Sequence, residues 1–142
     1  MAVQQHIEEK YKSIQPPENK KRKTIVLYSS DMDFCMSLRL LFQEQYRMIT
    51  TTDVGMLLPT IRAFQPDLVI ADAIPTDRMR SRFETMRREN PGIRIMLFYA
   101  PRMGQQALHE YVRSFTDVAL TKPLDLEEVT EEIEHLMVDP EA

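Results

Sequence analysis

Few of the polar side chains in this 142-residue chain stand where chemistry is done. Asp72 follows directly on the apolar run DLVIA, and Lys122 follows VALT. Each therefore marks the carboxyl end of an extended segment, and a carboxylate projecting from a sheet edge toward an ammonium forms an ion pair in a shared pocket. Ser29, Ser30 and Asp31 end the run TIVLY in the same way. Other chemistries lack their parts. Gly55, Gly92 and Gly104 are too scattered for a phosphate-cradling loop. His6, His109 and His135 have no second ligand at helical spacing and read as ordinary surface or interface residues. No Gly-x-Ser-x-Gly elbow surrounds the serines. Cys35 has no resolving cysteine, so redox sensing has little support.

The elements that must hold these residues follow from periodicity. From Thr24 onward, short apolar runs alternate with longer segments of helical period, the signature of a parallel sheet crossed over by helices. The strand candidates are Thr24 to Tyr28, Arg47 to Thr51, Asp67 to Ala71, Ile93 to Tyr99 and Val118 to Leu120. Most alternate little, as strands covered on both faces do, and the second, RMITT, reads as an edge. A first helix should follow Asp31 as N-cap, with Phe34, Leu38, Leu41 and Phe42 inward. Pro59 should kink or delay a helix over Val54 to Phe64. A third runs from Asp77 to Glu89 with Met79, Phe83 and Met86 inward, and a fourth from Gly104 to Phe115 through Ala107, Leu108, Tyr111 and Val112. In the last, Asp125 and Glu128 form a capping-box pattern ahead of Leu126, Val129, Ile133 and Leu136 on one face, and the other face is acidic. Of the ten methionines, Met36, Met48 and Met96 fall on expected core positions.

Composition sets further bounds. With 43% apolar residues the chain carries enough for one core, and its net charge of −4 argues against a nucleic-acid binder. The single cysteine suits a reducing, cytoplasmic location, and no apolar run is long enough for membrane insertion. Charge is uneven: residues 1 to 23 carry six basic and three acidic groups, whereas residues 122 to 142 carry Lys122 against eight acids. Arg78, Arg80, Arg82, Arg87 and Arg88 read as a solvated helix face, since Arg80 with Glu84 and Glu84 with Arg88 are at pairing distance along a helix.

The strings PDLVIAD and LTKP, set in a five-unit β/α order, resemble the receiver domain of two-component response regulators over about Lys23 to Met137. That resemblance implies that Asp72 sits where the family accepts a phosphoryl group from a histidine kinase, and that Lys122 contacts that group. It also implies a cis bond before Pro123. The departures are as specific. Where the family has two acids that hold Mg²⁺, this chain has Ser29 and Ser30, leaving Asp31 or Asp33 as substitute metal ligands. Where it has a Thr or Ser at the end of the fourth strand, this chain has Phe98 and then Tyr99. Its mobile aromatic is replaced by Ala119, and the loop Asp72-Ala73-Ile74-Pro75 is one residue short.

The resulting expectation is an α/β fold: a three-layer, doubly wound, five-stranded parallel sheet in order 2-1-3-4-5, flavodoxin-like and receiver-like. Residues 1–22 form an N-terminal extension, 23–138 the domain and 139–142 a tail. The chain reads as a degenerate, stand-alone receiver and not an enzyme, a protein interaction module in signal transduction that works independently of phosphorylation. The alternative is a functional phosphoacceptor using Asp72. No cofactor is expected, with Mg²⁺ required only for that alternative. The implied partners are proteins, either a histidine kinase or another signalling protein, or a second copy of the chain; nucleic acid is not among them. The family's usual output face, made by the fourth helix, fifth strand and fifth helix, would here set Tyr111 and Arg113 beside the acidic last helix.

Overall fold

The computed structural model describes residues 22–101 and 106–139. Five strands alternate with five helices: β1 (Thr24–Ser29), α1 (Met32–Phe42), β2 (Arg47–Thr51), α2 (Leu57–Phe64), β3 (Leu68–Asp72), α3 (Asp77–Glu89), β4 (Arg94–Tyr99), α4 (Gln106–Arg113), β5 (Val118–Thr121) and α5 (Leu126–Met137). All strand pairings are parallel and the order is β2-β1-β3-β4-β5, the doubly wound arrangement expected from the alternation. β2 is indeed an edge strand.

The side-chain period of two along each strand divides the core into two layers. Val26, Val69, Ala71, Ile95 and Leu97 face α2, α3 and α4, which contribute Leu57, Ile61, Met79, Phe83, Met86 and Val112. Ile25, Leu27, Leu68, Ile70, Met96 and Phe98 face α1 and α5, which contribute Cys35, Leu38, Phe42, Val129, Ile133 and Met137. Burying each large apolar side chain is worth about 1.5–3 kcal/mol, so the two layers together hold the sheet between the helices.

Local signals explain the helix boundaries. Asp31, Thr76 and Asp125 are N-caps whose side chains accept from Phe34, Met79 and Glu127 amides. Asp125 thus bonds one residue short of the capping-box position. Pro59 delays its helix: a 3-10 turn over Val54–Met56 comes first, and α2 then starts with the proline in its opening turn, where no amide is required. Gln65 closes that helix in the left-handed region at φ 45°.

Four expectations about helix faces are corrected. Leu41 and Met36, expected inward from their spacing, are 52% and 49% exposed; α1 buries the narrower stripe Cys35, Leu38 and Phe42. Leu126 is 47% exposed because the inward stripe of α5 begins at Val129 and runs to Met137. Glu84 pairs with Arg80 at 2.9 Å, whereas Arg88 donates to Thr85, so the expected Glu84–Arg88 pair does not form. In α4, Ala107 is exposed, and Leu108, Tyr111 and Val112 supply the contact. Gly104 and the start of that expected helix lie outside the described residues, as do His6 and residues 1–21 of the expected extension.

Candidate functional site

Strand pairing assembles the site. Ser29 stands opposite Asp72, Asp72 opposite Phe98, and Tyr99 opposite Thr121, which brings the carboxyl ends of β1, β3, β4 and β5 to one edge. Lys122 follows β5, its amide donating to the Tyr99 carbonyl at 2.9 Å, and its bond to Pro123 is cis. The ends surround a pocket of ≈ 730 Å³ bordered by Tyr28, Ser30, Asp72, Ile74, Tyr99 and Lys122. Pockets at this edge are where open α/β sheets take their ligands.

Asp72 is the centre of the polar network. Its side chain is only 11% exposed, and both of its oxygens are engaged. Oδ1 meets the Lys122 ammonium, and Oδ2 accepts from the Ser29 hydroxyl at 2.8 Å. That hydroxyl also accepts from the Asp31 amide at 3.1 Å, and Ser29 has no exposed surface. Nearly withdrawn from water, the carboxylate is compensated by a cation and a donor, which offsets the desolvation that would otherwise disfavour its charge. Lys122 stays 39% exposed and holds its ammonium 5.9 Å from the centre of the Phe34 ring.

The remaining sequence candidates divide clearly. Ser30 borders the pocket and is exposed. Asp31 uses its carboxylate to cap α1, accepting from the Phe34 amide at 3.2 Å, and Asp33 is exposed in the first turn of that helix. Among the described residues no group of three or more His, Cys, Asp or Glu side chains is gathered as a metal site. Mg²⁺ demands about six oxygens in a near-ideal octahedron and leans on carboxylate charge. The donors at this edge, one carboxylate already shared between Lys122 and Ser29 and two neutral hydroxyls, do not fit that demand.

At the end of β4 the pocket residue is Tyr99, not Phe98. Phe98 is fully buried in the other layer, edge-on to Phe34 at 6.0 Å between ring centres. One position along a strand reverses the face, so the neighbouring Tyr99 takes the place at the pocket. Its hydroxyl shares a 2.5 Å hydrogen bond with His109 Nδ1 on α4. Ala119 lies half-buried in β5. The short loop after Asp72 is tied back by the Ala73 amide donating to the Phe98 carbonyl at 3.1 Å.

Sequence reasoning named Tyr99 and Tyr111 but not their partners: Tyr99 bonds to His109, and the Tyr111 hydroxyl donates to Asp77 across the α3–α4 junction while Arg80 lies over its ring at 5.6 Å. A polar aromatic at a strand end was the available signal for Tyr99; nothing in spacing pairs it with a histidine on the next helix. Burial raises the Tyr99 phenol above its ordinary pKa, and the Asp77 carboxylate does the same for Tyr111. Burial likewise raises the Cys35 thiol, with the Asp31 and Asp72 charges adding to it and the hydrogen bond to the Ser29 carbonyl opposing.

No family model matches the chain, and no curated protein does. Solved structures do. A two-component response regulator from Clostridium difficile superposes with a TM-score of 0.68 at 19% identity, over 81% of this chain and 95% of that one. A response regulator receiver domain protein from Clostridium thermocellum gives 0.68 at 12% identity, over 81% and 94%. A Burkholderia pseudomallei protein related to pilus assembly gives 0.64 at 19% identity, over 86% and 94%. The chain has the receiver fold. Likeness at these identities speaks to architecture, and function has to be argued from the site. Among the described residues no helix is long and apolar enough to cross a membrane.

Proposed function

We propose that this chain is a signalling module that uses the receiver fold to present protein-binding surfaces, and that its strand-end pocket is not switched by phosphorylation. The observation that carries the reading is the saturation of Asp72, with Lys122 on one oxygen and buried Ser29 on the other. A carboxylate that attacks an anionic phosphoryl donor needs a cation to offset the repulsion, normally a metal. Here the neighbouring positions are hydroxyls, and the carboxylate of Asp31 is committed to capping α1. The pair then acts as an internal tie between β3 and β5. Conformation is set by bound proteins, and the residue that would follow a phosphoryl group, Tyr99, is held by His109.

The second reading is a working phosphoacceptor, favoured by one feature: Asp72 and half-exposed Lys122 both border an open pocket. An amide NMR titration with Mg²⁺ and then beryllofluoride, an aspartyl-phosphate mimic, separates the two, with Asp72→Asn as control. The expected result is no shift near Asp72 and Lys122 at millimolar Mg²⁺. Shifts there that disappear in the variant would establish the phosphoacceptor and overturn the proposal.

A further inference from the structure

The first helix presents an apolar surface that the fold leaves uncovered. Met32, Met36, Leu40 and Leu41 are 65%, 49%, 64% and 52% exposed, four of the nine large apolar side chains exposed among the described residues. Met32, Met36 and Leu40 recur every four residues, so they line one outer face over about 12 Å. Concentrated exposure of this kind marks a contact surface, whereas single exposed apolar residues do not.

The chain ahead of the fold carries a matching pattern. Val3, Ile7, Tyr11 and Ile14 are spaced four, four and three apart ahead of Pro16 and Pro17, a spacing that would line one face of a helix about 16 Å long. The point of entry into the fold is next to α1: the Arg22 guanidinium donates to the carbonyl of Gln43, the C-cap residue of that helix, at 3.0 Å. Seven residues separate Ile14 from Arg22. Fully extended they reach roughly 25 Å, enough to bring the stripe back to either end of the exposed face. So short a tether holds its cargo at an effective concentration of the order of millimolar, which favours the chain's own segment over a second copy.

We propose that residues 3–14 dock in cis along the outer face of α1, with Val3, Ile7, Tyr11 and Ile14 against Met32, Met36 and Leu40. A helix this short is marginal alone in water, so its order depends on that face. The Met32 and Met36 thioethers give that face a surface able to repack against the segment.

The test uses the full chain with a nitroxide on Gln5→Cys, reading methionine methyl signals by NMR. Cys35 is 2% exposed with its thiol pKa raised by burial, so the label goes to the new position. The expected result is loss of the Met32 and Met36 signals with Met79 and Met86, on the opposite layer, retained. The loss should persist on dilution and be reversed by Ile7→Asp, a change ahead of the fold that leaves its core intact. Retention of the Met32 and Met36 signals overturns the proposal. So does loss that appears when spin-labelled chains are mixed with separate observed chains, because the occupant is then a second copy.

Discussion

α1 and α5 lie on the same layer of the sheet and do the same work inside it, yet their outer faces are opposites. α1 buries Cys35, Leu38 and Phe42; α5 buries Val129, Ile133 and Met137. Both stripes have helical spacing, and both helices begin at an aspartate cap. Outside, α5 presents Glu127, Glu128, Glu131 and Glu134 to solvent, whereas α1 presents Met32, Met36, Leu40 and Leu41. Construction of the fold constrains only the inner stripe. The outer face is free to differ, and the difference points to contact on α1 and to solvation, or an electropositive partner, on α5.

The largest effects should fall on the shared inner stripe, where the two helices are alike. Leu38→Ala and Ile133→Ala should each lower the unfolding free energy by about 2–5 kcal/mol in urea titrations, as buried large-to-small changes do. A cost confined to one helix would break the equivalence. Next come the caps: Asp31→Ala and Asp125→Ala should each cost about 1 kcal/mol by the same measurement. A larger loss for Asp31 would show that its carboxylate serves the strand-end site as well as α1. Smaller again are the outer faces. Glu131→Lys should stay within about 0.5 kcal/mol, the usual range for exposed positions. Met36→Lys should exceed that in the full chain and match it once Ile7→Asp is also present, so the pair sharpens the contrast between a covered face and a solvated one.

The smallest effect is a pH dependence inside α1. The Cys35 thiol is raised above the roughly 8.5 of a free cysteine by burial. Because the folded state then holds its proton longer than the unfolded state, the stabilisation is complete below the unfolded pKa and declines as pH rises above it. Unfolding midpoints compared across neutral to alkaline pH should show this decline in the wild type, and Cys35→Ala should weaken it. Alkylation of the native thiol near neutral pH should be slow.

Much of the architecture was legible because each element satisfies its own backbone and announces its own period. The periodicity of α3 marks its observed bounds, the composition of RMITT marks an edge strand, and Pro59 delays its helix as its missing amide requires. At the candidate site, Asp72 and Lys122 could be placed at one sheet edge, since one ends an apolar run and the other follows one, and parallel connections bring those ends together. Ser29 against Ser30 was not separable from sequence. Only the register opposite Asp72 shows that Ser29 is the buried one, bonded to the carboxylate.

The sequence by itself determined the alternation of strands and helices, the aspartate caps and the residue types at the strand ends, because these are set by interactions within a few neighbours along the chain. Tertiary structure decided which side of a strand end enters the pocket, exchanging Phe98 for Tyr99, because alternation fixes relative sides and only pairing with β3 and β5 assigns them. It also decided how wide each helix stripe is buried, leaving Leu41, Met36 and Leu126 outside. A helical period gives the direction of an apolar face, while the extent of the surface opposite determines how much of it is covered.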